Sequence, residues 1–390
     1  MRLLIVSNLY PPQELGGYGR SLADFAWGLL QRGHQVDVLC SDAPYLGISG
    51  DGPSGELVRR SLQLKGNFAN GVEQLHDQQA CQRIDGHNAR EVSKVLADTA
   101  IDGILIGNLD LLGPELLGPL LAPAIPALHH VGFMAPPFGL EHWPRRPHYQ
   151  LVAASEAVRD SLGAAGLPVQ NSPVVYPGAR VELFGDPRLQ RWRAARAGTR
   201  ANPLKLCFAG LLMGSKGAHT AVEAAGLLQR AGTAVQLNLA GAEFQSGYWE
   251  QLRAFGQQLA LGEDQLRWLG PLERPQLARF FQLHHAGIFP SIYPEAFGIV
   301  GAEIQASGLA LLSSGVGGAG ELYEDELSGL KFRPGDGADL ARQLQRLVNI
   351  PGLLGQLQQK GFARVRRDFS VAKAAAQLEA LFYRAQALKA

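Results

Sequence analysis

Two glutamates in the segment PEAFGIVGAE, residues 294–303, have the clearest chemistry in this chain. Glu295 and Glu303 stand eight positions apart, on either side of a Phe-Gly pair. Eight helical steps of about 100° would leave their side chains well apart around one helix axis. We therefore predict Glu295 in a loop and Glu303 on the helix that follows. We expect that helix to begin near Gly298 and to end at Ser307-Gly308, because glycine commonly follows a helix C terminus.

This arrangement suits one elongated ligand. Glu303 would lie about 7.5 Å along the helix axis from Gly298. Backbone N–H groups at a helix start lack intrahelical partners and attract anionic oxygens. The motif therefore predicts a ligand that meets a carboxylate at each end and has anionic oxygens between them.

The elements that position this motif alternate between strand and helix. In the first half, the apolar run 3–7 predicts a strand, a turn with Gly16 and Gly17 follows, a helix covers about 21–31, and a strand covers 35–41. This order forms one right-handed crossover unit. Further strands are predicted at 103–106, 124–130 and 151–154.

The second half repeats the pattern. A strand at 204–209 runs into a glycine-rich loop that contains Gly210 and ends at Lys216-Gly217. Further strands are predicted at 235–240, 267–269, 287–289 and 310–313. Two such halves predict an α/β fold with two Rossmann-like, doubly wound domains that face a central cleft. Ligands of such sheets bind beyond the carboxyl ends of the strands, so we place the site in that cleft.

The 390 residues exceed what one hydrophobic core usually serves. We place the first domain at 1–180 and the second at 204–369, joined by a polar, Arg-rich linker at 181–203. An Ala-rich helix at 370–390 is assigned to the first domain, although packing on the second fits the sequence equally well.

Charge and cysteine content narrow the function classes. The chain has 36 Lys and Arg residues and 35 Asp and Glu residues. The sequence therefore has no large excess of positive charge of the kind that favours nucleic-acid binding. Cys40, Cys81 and Cys207 lack metal-ligand spacing and are interpreted as reduced thiols of a cytoplasmic protein. No apolar stretch of about 18 residues predicts a transmembrane helix, and the apolar run at the start is too short for a signal peptide. The segment WPRRPH at 143–148 leaves peripheral contact with the inner membrane face open, beside its simpler interpretation as an exposed loop.

Seven motifs in order resemble those of the retaining glycosyltransferases with two Rossmann-like domains, the GT-B architecture, and within them family four. The resemblance extends over nearly the whole chain. The matching motifs are Tyr10-Pro11-Pro12 with Gly16-Gly17, Arg32-Gly33-His34, Ser155-Glu156, the run ending at Lys216-Gly217, Pro290-Ser291, the pair Glu295 and Glu303, and Gly317-Gly318 with Glu321.

The resemblance implies a donor site for a nucleotide diphosphate sugar. Negative charge grows on the diphosphate as the glycosidic bond breaks, so hydrogen-bond donors must be in place. Lys216 and the amides of 297–300 are expected to supply them. Gly16 and Gly17 would let the backbone of the first domain approach the diphosphate, where a side chain would collide. The expected donor-binding residues are Gly16, Gly17, Gly210, Lys216, Trp268, Phe297, Gly298, Ile299, Val300 and Glu303.

By the same resemblance, Glu303 binds the ribose hydroxyls and Glu295 lies near the transferred sugar as a catalytic residue. His129 or His130 corresponds to the family's sugar-contacting histidine, and the spacing leaves both open, with a slight preference for His130. Trp268 would lie beside the base, although core packing explains a tryptophan there more often.

Leu211 departs from the family pattern, in which arginine often follows the glycine matching Gly210. Leucine cannot imitate the fixed fork of a guanidinium. Either Arg20 or another cation replaces it, or the phosphate is bound less tightly.

The expected function is transfer of a sugar from a nucleotide diphosphate sugar to an acceptor hydroxyl with retention of configuration, in glycan, polysaccharide or glycoconjugate synthesis. The acceptor would be a saccharide, a lipid-linked chain or a small molecule. No cofactor and no metal are expected, since Lys216 and helix-end amides replace a cation. One alternative is a nucleotide-sugar binding protein that has lost catalysis, as Leu211 in place of the family's arginine would indicate. The other is an epimerase or phosphorylase of the same architecture.

Overall fold

A computed structural model describes residues 1–47, 52–69, 71–185 and 197–387. The chain forms two compact units. Unit 1 comprises Met1–Pro177 and the segment from Val371 onward, and unit 2 comprises Gly178–Ser370.

Unit 1 is built around a parallel sheet. Its strands are β1 (Arg2–Val6), β2 (Gln35–Ser41), β3 (Leu57–Leu62), β6 (Gly103–Ile106), β7 (Ala127–Val131) and β8 (Tyr149–Ala153), with a small antiparallel pair β4 (Gly66–Asn67) and β5 (Glu73–Gln74). The sheet order is β3-β2-β1-β6-β7-β8. Its helices are α1 (Tyr18–Gln31), α2 (Gln78–Asp98), α3 (Leu117–Leu121), α4 (Glu156–Ala164) and α12 (Val371–Ala387), with 3₁₀ turns at Pro44–Leu46, Pro114–Leu116 and Leu140–His142.

The apolar run of β1 explains why this strand lies in the middle of the sheet. Leu3 and Ile5 are buried in a cluster on one face, whereas Leu4 and Val6 are buried in a cluster on the other. Successive side chains of a strand point to opposite faces. A strand covered on both faces must therefore be apolar throughout.

Unit 2 has a second parallel sheet. Its strands are β9 (Leu204–Ala209), β10 (Val235–Ala240), β11 (Leu266–Trp268), β12 (Ala286–Phe289), β13 (Ala310–Ser313) and β14 (Leu330–Lys331), in the order β11-β10-β9-β12-β13-β14. Its helices are α5 (Val181–Phe184), α6 (Ala218–Arg230), α7 (Tyr248–Gln258), α8 (Arg274–Gln282), α9 (Ile299–Ala306), α10 (Gly337–Asn349) and α11 (Leu353–Asp368), with 3₁₀ turns at Gly214–Lys216 and Gly318–Glu321.

The strand order of unit 2 decides which loops meet. β9 pairs with β12, and β12 pairs with β13, all in parallel. The carboxyl ends of parallel neighbours lie at one edge of a sheet, so the loops that follow these three strands are adjacent. These loops contain Lys216, Glu295 and Gly317.

Helix α12 returns to unit 1 and packs on α1. Its Glu379 accepts a hydrogen bond from His34 Nε2 at 2.8 Å and forms an ion pair with Arg32, which lowers the pKa of that carboxyl. Gly28 of α1 faces the helix closely, since a Cβ added there would lie 2.7 Å from the Cβ of Ala375.

The structure confirms two doubly wound α/β sheets and most predicted strands, with β7 and β8 shifted by a few residues. Strand β3 was not among the predicted strands: its sequence LVRRSL lacks the alternation of polar and apolar residues that predicts a half-buried strand, and only Leu62 is buried. This strand lies at the sheet edge, where polar side chains are tolerated. Within the predicted linker, residues 186–196 lie outside the described residues, and α5 belongs to unit 2.

In the part of the chain that the structure describes, no helix is both long and apolar enough to span a bilayer.

Two alanine substitutions test the packing of α12 on α1. Gly28→Ala should lower the free energy of unfolding by about 1–3 kcal/mol, because the new methyl group overlaps a backbone-anchored Cβ of α12. A Cβ added at Gly355 in α11 would meet no atom within 4 Å. Gly355→Ala should therefore raise the free energy of unfolding by about 0.5–1 kcal/mol, because alanine has the higher helix propensity. Chemical denaturation followed by circular dichroism measures both. A Gly28→Ala variant as stable as wild type would contradict the close contact.

Candidate functional site

Lys216 and Glu295 form an ion pair where the loop after β9 meets the loop after β12. Lys216 Nζ donates to Glu295 Oε1 at 2.6 Å, and Ser291 Oγ donates to the same oxygen. The lysine side chain is 33% exposed and the glutamate side chain 17%, so both reach a partly open surface. The pair thus offers a cation and an anion side by side to a ligand.

Backbone contacts hold the two loops in register. The N–H of Ile292 donates to the carbonyl of Ser215 at 2.9 Å. Gly217 has φ +71°, and a Cβ there would lie 2.0 Å from the carbonyl oxygen of Pro290. Only glycine allows both this conformation and this approach. Lys216 is therefore positioned by the glycine that follows it.

The loop after β13 binds the main chain of Glu295. The N–H of Glu295 donates to Val316, and the N–H of Gly318 donates to the Glu295 carbonyl at 2.7 Å. Gly317 has φ +64°, and a Cβ there would lie 2.5 Å from that carbonyl oxygen. The Gly-Gly pair thus allows the loop after β13 to lie against Glu295.

Helix α9 begins at Ile299, and its N-cap residue Gly298 lies three residues after Glu295. Gly298 caps it in the left-handed region, and within the described residues no side chain caps its first N–H groups. The helix runs to Ala306 and is followed by Ser307 and Gly308, which confirms the predicted bounds. Three residues span at most about 11 Å, so the positive end of α9 lies near the ion pair.

Glu303 is placed differently from Glu295. It is fully buried, and its Oε1 lies 3.6 Å from a guanidinium nitrogen of Arg274 at the start of α8. Phe184 of α5 packs against the same guanidinium. The burial favours a role in joining α8 to α9, alongside the ribose contact expected from the family. The sequence did not single out Arg274, because packing between helices brings it to Glu303.

Trp268 ends β11 with its ring against the core. Its Nε1 donates to the carbonyl of Gly241 at 2.9 Å, and its ring lies 5.6 Å from that of Trp249. A Cβ on Gly241 would lie 1.9 Å from the carbonyl oxygen of Gly210. Gly210, at φ +152°, thus belongs to a tight backbone crossing beside Trp268.

In unit 1, Gly16 and Gly17 precede α1. Gly16 has φ +71°, and a Cβ added there would meet no atom within 4 Å. Gly17 caps α1 without a side-chain hydrogen bond from a described residue. The turn thus needs glycine at position 16 for its conformation and leaves open space beside the backbone.

His129 and His130 lie next to each other on β7 and point to opposite faces. His129 shares a hydrogen bond of 2.8 Å with the Tyr149 hydroxyl and stacks on Trp143. His130 Nε2 donates to the Val175 carbonyl at 2.8 Å, and its ring packs edge-on against Phe25. Both are buried, and burial lowers their pKa values to about 3 and about 4, respectively. Both imidazoles are therefore neutral near pH 7.

The residues considered for phosphate binding beside Lys216 lie in different units. Leu211, half-buried, follows Gly210 in unit 2, whereas Arg20 is in unit 1 and lies 3.7 Å from Glu14. The structure thus brings together Lys216, Glu295 and the start of α9, while Gly16, Gly17 and both histidines lie in unit 1. Their predicted meeting in a cleft stays a prediction.

Metal-ligating groups are not clustered in the described ranges: no three or more His, Cys, Asp or Glu side chains there could hold an ion together.

Comparisons with known proteins agree with this architecture. Residues 192–364 match the family described as glycosyl transferases group 1. The chain is 26% identical to a glycogen synthase of Mycobacterium tuberculosis, over 97% of this chain and 94% of that protein. It is 28% identical to a D-inositol 3-phosphate glycosyltransferase of Paenarthrobacter aurescens, over 53% of this chain and 52% of that protein.

A solved structure with the same fold is that of the Anabaena protein HepE in complex with UDP-glucose. The TM-score is 0.71 at 18% identity, covering 98% of this chain and 100% of that one.

The buried histidines predict how stability depends on pH. The pKa of His130 is about 4 in the folded protein and about 6.5 when unfolded. Between these values the unfolded chain binds more protons, so stability falls as the pH falls from about 6.5 to about 4. His130→Gln keeps an amide donor for Val175 and removes this dependence. The loss of unfolding free energy from about pH 7.5 to pH 5 should shrink by about 2 kcal/mol.

Chemical denaturation at a series of pH values measures the difference. The control is His76→Gln, which replaces an exposed histidine of the same unit. Equal pH slopes for wild type and His130→Gln would contradict a neutral, buried His130.

Proposed function

We propose that this chain, a member of the glycosyl transferases group 1 family, transfers a sugar from a nucleotide diphosphate sugar to an acceptor hydroxyl and keeps the anomeric configuration. The observation that carries the proposal is the pair Lys216–Glu295 beside the open start of α9. One cation and one anion at a helix N terminus suit a ligand with a diphosphate next to a sugar.

The donor diphosphate would lie between Lys216 and the first amides of α9. The ammonium group is a mobile point charge with three donors. Its present partner is Glu295, so diphosphate binding would place the lysine between two anions. The first amides of α9 would stabilise the negative charge that grows on the diphosphate as the bond to the sugar breaks. Donors already in place need no reorganisation when the bond to the leaving group breaks.

Glu295 would act at the sugar. Ser291 and the backbone of Gly317-Gly318 fix its position, so the carboxylate is available without a search through rotamers. In the proposed reaction the bond from the anomeric carbon to the phosphate oxygen breaks as the acceptor oxygen bonds to that carbon from the same face. The acceptor proton goes to the departing phosphate oxygen, and Glu295 favours the positive charge on the sugar ring.

His129 and His130 would serve as neutral hydrogen-bonding groups rather than as acids or bases. Because burial lowers their pKa values to about 3 and about 4, neither imidazole carries at pH 7 the second proton that a general acid would give up. A neutral imidazole can donate from one nitrogen and accept at the other, which suits a sugar hydroxyl. Glu303, on α9 and close to Arg274 of α8, would bind the ribose through its carboxylate oxygens.

The named relatives support a place for this reaction in polysaccharide or glycoconjugate synthesis. One relative is a glycogen synthase and another a D-inositol 3-phosphate glycosyltransferase, so their acceptors differ. HepE was crystallised with UDP-glucose, which makes that compound the first donor to test. Cys40, Cys81 and Cys207 are free thiols, which supports a cytoplasmic location.

Two substitutions test the roles of the ion pair. Glu295→Gln keeps an acceptor for Ser291 but removes the charge, and it should lower kcat by about 100-fold. Lys216→Ala removes a donor to the leaving group and should lower kcat/KM by about 100-fold or more. Product formation from UDP-glucose, ADP-glucose and GDP-mannose is measured with a panel of acceptors.

Lys360→Ala and Glu263→Gln are matched controls, because both side chains are exposed on unit 2 and lie outside the three loops. Both should retain wild-type rates. Full activity in Glu295→Gln and in Lys216→Ala would refute the assignment.

A chelator tests the proposal that no metal is required. Lys216 and the α9 amides are proposed to carry the charge that a cation otherwise supplies, so transfer should continue at an unchanged rate in excess EDTA. Initial rates with EDTA, and with added Mg²⁺ or Mn²⁺, give the comparison. Loss of activity in EDTA and its recovery with Mg²⁺ would show that the protein uses a metal.

A further inference from the structure

A pocket of about 610 Å³ opens in unit 1 beside the edge strand β3. This volume is within the range of small-molecule sites, about 300–1,000 Å³. The pocket lies at the carboxyl ends of β2 and β3, with one wall formed by α2. Its polar lining consists of Asp42, Tyr45, Arg60, Ser61, Gln63, His87 and Glu91.

Helix α2 holds the pocket wall in place. The buried side chain of Asn88 accepts from the N–H of Gln63 at 2.8 Å and donates to its carbonyl at 2.9 Å. His87 Nε2 donates to the Ser61 carbonyl at 2.8 Å. Helix α2 thus fixes the backbone at the end of β3, at Ser61 and Gln63, so this wall is formed without a ligand.

Two side chains in this wall have hydrogen-bonding capacity to offer. Glu91 forms no hydrogen bond or ion pair with any residue that the structure describes, although it is only partly exposed. The side-chain amide of Gln63 likewise has no partner among the described residues. A carboxylate accepts up to four hydrogen bonds, and an amide both donates and accepts. These groups match the hydroxyls of a sugar or polyol.

The pocket also has an aromatic wall. The Tyr45 hydroxyl accepts from the N–H of Phe68 at 3.0 Å, which fixes the ring, and the residue is 47% exposed. A fixed, exposed aromatic ring gives the apolar face of a sugar a surface to pack on.

Arg60 connects the pocket to the turn before α1. Its guanidinium donates to the carbonyls of Tyr10 and Pro11, at 3.0 and 2.7 Å, and forms no ion pair with a described residue. Those carbonyls begin the segment that leads to Gly16 and Gly17. The same arginine therefore lines the pocket and holds the start of the segment that leads to the turn proposed to approach the donor.

The charges of the pocket disfavour an anionic ligand. Asp42 and Glu91 outnumber the one guanidinium, and that guanidinium is already engaged by backbone carbonyls. Phosphate sites usually rely on arginine or lysine forks directed at the oxygens. A phosphorylated ligand would here meet the unpaired carboxylate of Glu91.

We propose that this pocket binds the acceptor, and that the group bound there is an uncharged, polyhydroxylated one, a sugar or a polyol, rather than a phosphorylated one. The inference rests on the proposed glycosyl transfer. Glu91 and Gln63 bind acceptor hydroxyls, Tyr45 packs on the ring, and Arg60 holds the backbone of Tyr10 and Pro11 beside them.

Binding of matched neutral and phosphorylated probes tests this proposal. The probes are glucose and glucose 6-phosphate, and inositol and inositol phosphate, titrated into the full chain with UDP present and followed by ligand-observed NMR. A neutral probe should bind, and Glu91→Gln should weaken its Kd about tenfold, the effect expected for a lost hydrogen bond to a charged group. Glu91→Lys should shift the preference toward the phosphorylated partner at least tenfold.

Asp98→Asn is the control, because it removes a carboxylate from the same helix outside the pocket. Its Kd for the neutral probe should equal that of wild type. The Kd of UDP, measured by calorimetry, should be the same in wild type and both Glu91 variants.

The outcomes separate this inference from the proposed function. Absence of binding by UDP, ADP and GDP would refute the proposed function itself. Nucleotide binding together with an unchanged neutral-probe Kd in Glu91→Gln would overturn the acceptor pocket alone. Tighter binding of phosphorylated probes by wild type, or no binding of either neutral probe, would overturn it as well.

Discussion

The pairing of β9 with β12 is the constraint on which the candidate site depends. Lys216 and Glu295 are 79 residues apart in the chain, and they meet only because parallel neighbours end at one edge of the sheet. β13 adds the third loop at the same edge and fixes the main chain of Glu295. The site is therefore a property of strand order. The core of unit 2 stabilises that order without contributing a reacting group.

Two glycines convert this proximity into a defined geometry. Gly217 and Gly317 both have positive φ, and a Cβ on either would overlap a carbonyl oxygen of the loop after β12. Larger residues would force the three loops apart and separate the ammonium group from the carboxylate. The chemistry thus depends on residues without side chains as much as on Lys216 and Glu295. Such dependence is expected where backbone segments must approach each other closely.

The sequence predicted what local patterns determine, and it failed where tertiary packing decides. The apolar runs of β1 and β9 and the glycine at the start of α9 carry clear signals, so those elements and the bounds of α9 were found. Strand β3 was missed because an edge strand needs only one buried side chain, Leu62. The pairing of Arg274 with Glu303 and the burial of both histidines depend on distant elements, so no spacing in the sequence could indicate them.

The two units differ in their electrostatics in a way that fits their proposed ligands. Unit 2 offers Lys216 and the positive end of α9, which favour an anion. Unit 1 offers neutral imidazoles, since burial lowers the pKa values of His129 and His130, and a pocket in which carboxylates outnumber the guanidinium. A diphosphate is favoured by the first set and a hydroxyl-rich, uncharged group by the second. Charge would therefore disfavour a donor in the proposed acceptor pocket, because binding there would bring its phosphates against Asp42 and Glu91.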